Sequence, residues 1–143
     1  MKTRNLMSIT AIGLLSCFAC GQNTSKTQEK QQFKTQNIMD LSKITDPSVQ
    51  MAIEALQTGN KTWYGFFTED PVMTDDGNPV DFKSFFANAL GSELFISIDR
   101  VENDGKDIYG NFKAGKWGTF PVFFKFHKNK DGQFDRLDIG QNR

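Results

Sequence analysis

The apolar residues of this chain change their spacing once, near Gly91, and that change limits what the chain can fold into. Before it, Val49, Ala52, Ile53 and Leu56 recur at helical spacing, as do Phe82, Phe85, Phe86, Ala89 and Leu90. After it the period is two. Leu94, Ile96 and Ile98 alternate with Phe95, Ser97 and Asp99. Phe120, Val122, Phe124 and Phe126 alternate with Pro121, Phe123, Lys125 and His127. Helices followed by a run of strands predict an α+β domain.

Punctuation residues sharpen the boundaries. Asp46 caps a first helix, Pro47 suits its first position and Gly59 its end. Asn60 caps a second helix, on which Trp63, Phe66 and Phe67 share a face. Glu69 and Asp70, before Pro71, are expected to end it. A short strand is expected at "PVMT", and Asp76-Gly77-Asn78-Pro79 is turn chemistry. Asp81 caps a third helix that stops at Gly91. Asp104-Gly105 and "NKDG" turn the later strands, and the last strand runs through Leu137 and Ile139. The expected architecture is a cone-like, curved antiparallel sheet packed on three N-terminal helices.

The N-terminus reads as an export signal. Lys2 and Arg4 precede an uncharged, mostly apolar stretch, Leu6–Ala19, too short to span a bilayer comfortably. Both cysteines lie at its end, in settings that resemble a bacterial lipobox. Cys20, followed by "GQNTSK", is the preferred lipidated residue, and Cys17 in "LLSC" is the alternative. The expected divisions are a signal over 1–19, a tether over 20–37 and a domain over 38–143. The polar, Gln-rich tether cannot bury enough apolar surface to order itself, and its reach is roughly 20–25 Å. The absence of an acidic cluster after Cys20 favours a domain facing the periplasm.

Composition narrows the chemistry. With no cysteine in the folded part and one histidine in the chain, a Cys-based zinc site and a Cys nucleophile are excluded. The 17 basic and 17 acidic residues balance, and no basic run supports nucleic-acid binding. Gly-rich phosphate loops are not visible, so no cofactor is implied. His127 to Asp138 resembles a calcium loop only faintly, and a hairpin turn is the simpler reading.

Two segments together resemble a known superfamily. "ALQTGNKTWYGFFTEDPVMTDDGNPVDFKSFF" is similar to the N-terminal half of nuclear transport factor 2-like, or SnoaL-like, domains. "VFFKFHKNKDGQFDRLDIGQ" is similar to their last two strands. The resemblance covers about 48–141 and implies a cone-shaped α+β barrel, often with a pocket at its open end and often dimerising through its sheet. Function does not follow from it. The ketosteroid isomerase relatives would place their catalytic base at Asp75, but their oxyanion donors fall near Met51 and Val122, which cannot donate such bonds. Other relatives use a His–Asp pair, for which His127 and Asp75 are the candidates.

The reading that follows is a non-catalytic domain, tethered to the membrane through its N-terminal lipid. It binds a small apolar ligand or a protein partner. Trp63, Phe67, Phe86 and Phe124 are the expected ligand-lining residues. The alternative is a SnoaL-like acid–base enzyme (isomerase, cyclase or dehydratase type) acting on a carbonyl substrate with Asp75 as base.

Overall fold

The computed structural model describes residues Met39–Arg143. The segments expected to form a signal and a tether, with both cysteines, lie outside the described residues. Helix α1 spans Pro47–Thr58 and a 3-10 helix spans Lys61–Phe66. Strands β1 (Phe67–Asp75) and β2 (Asn78–Pro79) precede helix α2 (Phe82–Ala89). Then come β3 (Leu94–Glu102), β4 (Asp107–Lys113), a 3-10 turn at Gly115–Trp117, β5 (Thr119–Lys128) and β6 (Phe134–Gln141).

The caps act as their sequence suggests. Asp46 accepts from the Ser48 and Val49 amides at 2.9 and 3.1 Å, contributing about 1 kcal/mol to α1. The same carboxylate accepts from Lys128 Nζ at 2.7 Å, tying the start of α1 to the end of β5. Asp81 caps α2 through the Ser84 amide at 2.7 Å. Gly59 closes α1 at φ 65°, in the left-handed region where a side chain is strained. At the far end of α1, Gln57 donates to the Phe95 carbonyl and accepts its N–H, fastening the helix to β3.

The sheet is open, with strand order β2-β1-β6-β5-β4-β3. The α+β architecture is as expected, but the sheet is mixed rather than wholly antiparallel. β1 lies parallel to β6 because the chain leaves β1 through α2 and the whole meander before β6 returns beside it. Two further expectations need correction. Glu69 and Asp70 do not end a helix. They belong to β1, whose register against β6 shifts between Phe67 and Val72, and that irregularity accommodates Pro71 in a strand. The second helix is accordingly a short 3-10 helix. In β3, inward residues follow Phe95, Ile98 and Val101 rather than the Leu94, Ile96 and Ile98 alternation. Register shifts against β4 reverse the phase and leave Ile96 53% exposed.

In β4 and β5 alternation holds. Val122, Phe124 and Phe126 of β5 and Ile108 and Phe112 of β4 face the helices. They join Val49, Ile53 and Leu56 of α1 and Phe82 and Phe86 of α2 in one apolar core. No polar or charged residue is buried among the described residues. Gly110 shows how close the strands lie, since a Cβ there would run into the Ser97 carbonyl of β3. Gly110→Ala is expected to lower stability by about 1–3 kcal/mol in chemical denaturation, because the bulged strand must move. An unchanged midpoint would contradict this packing.

Candidate functional site

The four expected ligand-lining aromatics are all in the core. Trp63, Phe67, Phe86 and Phe124 are exposed by 4% or less. Trp63, carried inward by the 3-10 helix, meets Phe86 at 4.7 Å and Phe67 at 4.9 Å between ring centroids. Phe82 lies 4.5 Å from Phe67 and 5.0 Å from Phe86. These are contact distances for tilted rings, so no ligand fits between them. Phe124 belongs to a neighbouring group, 4.9 Å from Phe95 and 5.2 Å from Phe112. The sequence's aromatic faces thus converge, three of the four in one cluster, and they pack against one another. The Trp63 Nε1 has no hydrogen-bond partner among the described residues.

This cluster borders a surface cleft. A cleft of about 190 Å3 opens between the 3-10 helix, β1 and α2, with Phe67 and Phe82 beside Tyr64 and with Glu69 and Lys83 at its edge. The Tyr64 ring stands edge-on to Phe82 at 6.0 Å.

Asp75 and His127 are not brought together. Asp75 ends β1 two residues after buried Met73 and so lies on the helix side of the strand. Burial raises its carboxyl above the usual range, and the neighbouring Asp76 charge adds to this. Burial also raises Glu93, and the Asp75 charge is the second cause. Among the described residues no donor reaches the Asp75 carboxylate. The pair Asp75–Glu93 escaped sequence reasoning, because nothing in the spacing announces that the residue before β3 returns beside the end of β1.

His127 lies on the opposite face, where Asp138 takes up its Nε2 at 2.8 Å. Asp138 also accepts from Thr74 Oγ1 at 2.6 Å and from Arg136 at 2.9 and 3.0 Å. Burial alone would raise this carboxyl, but the bonds from Arg136, Thr74 and His127 outweigh it and hold the pKa at about 2. The network spans β1, β6 and β5, and its alternation could have been read by folding the hairpin at "NKDG". Trp117, in its 3-10 turn, is 72% exposed beside Lys116.

No protein family matches the sequence, and no curated protein matches it. Solved structures do. Nuclear transport factor 2 from Cryptosporidium parvum superposes with TM-score 0.50 at 16% identity, covering 71% of this chain and 94% of that one. The orange carotenoid protein of Anabaena, solved with canthaxanthin, gives TM-score 0.53 at 15% identity, covering 71% of this chain but 38% of that one. An uncharacterised bacterial protein with a cystatin-like fold from Silicibacter pomeroyi gives 0.53 at 12% identity, over 68% and 74%.

The described domain has the nuclear transport factor 2-like fold.

In this nuclear transport factor 2-like domain the charged network on the outer face works for stability. Asp138 is deprotonated in the fold down to about pH 2, whereas an unfolded aspartate takes up its proton near pH 4. Its contribution, about 2 kcal/mol, is therefore full above pH 4 and is lost as pH falls to 2. Asp138→Asn is expected to lower the unfolding free energy by about 1–2 kcal/mol at pH 7. The difference from the parent should close between pH 4 and pH 2 in urea titrations. A pH-independent difference would contradict the assignment.

Proposed function

We propose that the chain is a non-catalytic binding module held at the membrane by a lipid on Cys20, with its domain facing the periplasm. The observation that carries the binding reading is the cleft at Tyr64, Phe67 and Phe82, where the aromatic cluster borders the surface. Its volume is below the roughly 300–1000 Å3 of a pocket that encloses a whole drug-sized ligand. It therefore suits the end of a small apolar or amphipathic ligand, a ring or a short alkyl segment. Lys83 and Glu69 at the edge can meet a polar head. The orange carotenoid protein, 38% of which matches this chain, binds canthaxanthin, which fits this reading.

A second reading draws on the raised carboxyl of Asp75, the property a carbon-acid base needs. It has no oriented donor to stabilise a developing oxyanion, and a base without one lacks most of the rate enhancement. Binding without chemistry is the better account.

Two experiments test the proposal. Metabolic labelling with an alkyne fatty acid should mark the parent and Cys17→Ser and should leave Cys20→Ser unlabelled and released from the membrane fraction. Label retained by Cys20→Ser would move the anchor to Cys17. For the cleft, decanoate should saturably shift the Thr68 and Lys83 amide resonances. Tyr64→Glu should weaken this at least tenfold, and equal binding by that variant would remove the cleft from the account.

A further inference from the structure

The outer face of the sheet carries a second and independent feature. Strand register sets Arg100 opposite Tyr109, Tyr109 opposite Phe123, and Phe123 opposite Gly140. Four strands thus contribute one transverse row, all on the face away from the helices. With strands about 4.8 Å apart, the row is roughly 14 Å long.

The row is closely fitted. A Cβ at Gly140 would lie 2.8 Å from Phe123 Cζ and 2.7 Å from Asp76 Oδ1, so the glycine is what lets the ring lie down on β6. Asp76 is engaged there, accepting from the Gln141 amide at 2.8 Å. The Arg100 guanidinium sits 4.1 Å over the Tyr109 ring, and Lys125 Nζ sits 5.2 Å from the Phe123 centroid. Arg100 also meets Glu102 through its Nε at 3.2 Å.

These side chains border a concavity of about 530 Å3, with Arg143 and Gln141 on the remaining side. Its size falls within the range of small-molecule sites. Its lining side chains include three cations, Arg100, Lys125 and Arg143, against one carboxylate, Asp76, which is already bonded, while Glu102 pairs with Arg100. The whole chain is neutral, with 17 basic and 17 acidic residues, so this is a local asymmetry rather than a reflection of overall charge. The charges select an anion, and the two rings select an apolar, flat body. A guanidinium resting on a ring can form bidentate bonds to a carboxylate while its plane still stacks.

We propose that this outer-face concavity binds a small carboxylate with a flat apolar body. Tyr109 and Phe123 form its floor, and Arg100, Lys125 and Arg143 hold the anionic end. The site lies on the opposite face of the sheet from the helices and does not depend on the cleft.

The probe is 2-naphthoate, followed by amide resonances of the full chain in detergent. Saturable shifts at Tyr109, Phe123 and Gly140 are expected, and Tyr64→Glu at the cleft should leave them unchanged. Neutral 2-naphthalenemethanol should bind at least tenfold more weakly, and the naphthoate affinity should fall as sodium chloride rises. Arg100→Gln changes an exposed side chain and Lys125→Gln a half-buried one on the outer face, and each should weaken naphthoate at least fivefold while the rest of the spectrum is retained. Equal binding of the acid and the alcohol would overturn the proposal. So would unchanged affinity in both variants. Shifts of these resonances by phosphatidylglycerol vesicles but not by naphthoate would make the face a membrane contact and also overturn it.

Discussion

Trp63 is the residue on which the helices and the sheet jointly depend. Carried by the 3-10 helix, its ring lies within 4.7–6.3 Å, centroid to centroid, of aromatic rings from β1, α2 and β5. A buried indole removes roughly 150–250 Å2 from water, worth about 4–6 kcal/mol as an upper estimate. Against this stands an unpartnered Nε1–H, which costs about 1–3 kcal/mol. Burial wins, and the polar atom is carried along by it.

That balance decides where function can reside. A cone whose interior is occupied by its own rings has no room for a ligand at its centre, whatever the fold allows elsewhere. Binding chemistry moves to the outside. One proposed place is the cleft beside Tyr64, over the buried Phe67 and Phe82. Another is the face of the sheet turned away from the helices, where rings and cations alternate across strands. Asp75, which a catalytic relative would use, lies beside another acid in place of a donor.

Much of the fold was legible because its signals are local. Asp46, Asn60 and Asp81 are caps in both readings, and Gly59 ends α1 as its position suggests. The inward face of β5 follows from simple alternation. Non-local register was not legible. The bulges that turn Ile96 outward, and the irregularity that admits Pro71 to a strand, depend on what the neighbouring strands offer. The aromatic residues were legible as a group but not as packed or open, since ring count does not reveal ring spacing. The Thr74 contact to Asp138 and the Arg100–Tyr109–Phe123 row arise only once strands distant in sequence are aligned, and no short motif encodes them.

The central claim, that the cone is filled, is most directly tested by hydrogen exchange at the Trp63 indole nitrogen. That N–H is fully buried, and without a hydrogen-bond partner its protection can come only from exclusion of water. A filled interior predicts exchange no faster than that of the core strand amides of β5, with the denaturant dependence of global unfolding. Exchange orders of magnitude faster than those amides under native conditions would mean that water enters the cone. The interior would then have to be reconsidered as a binding cavity.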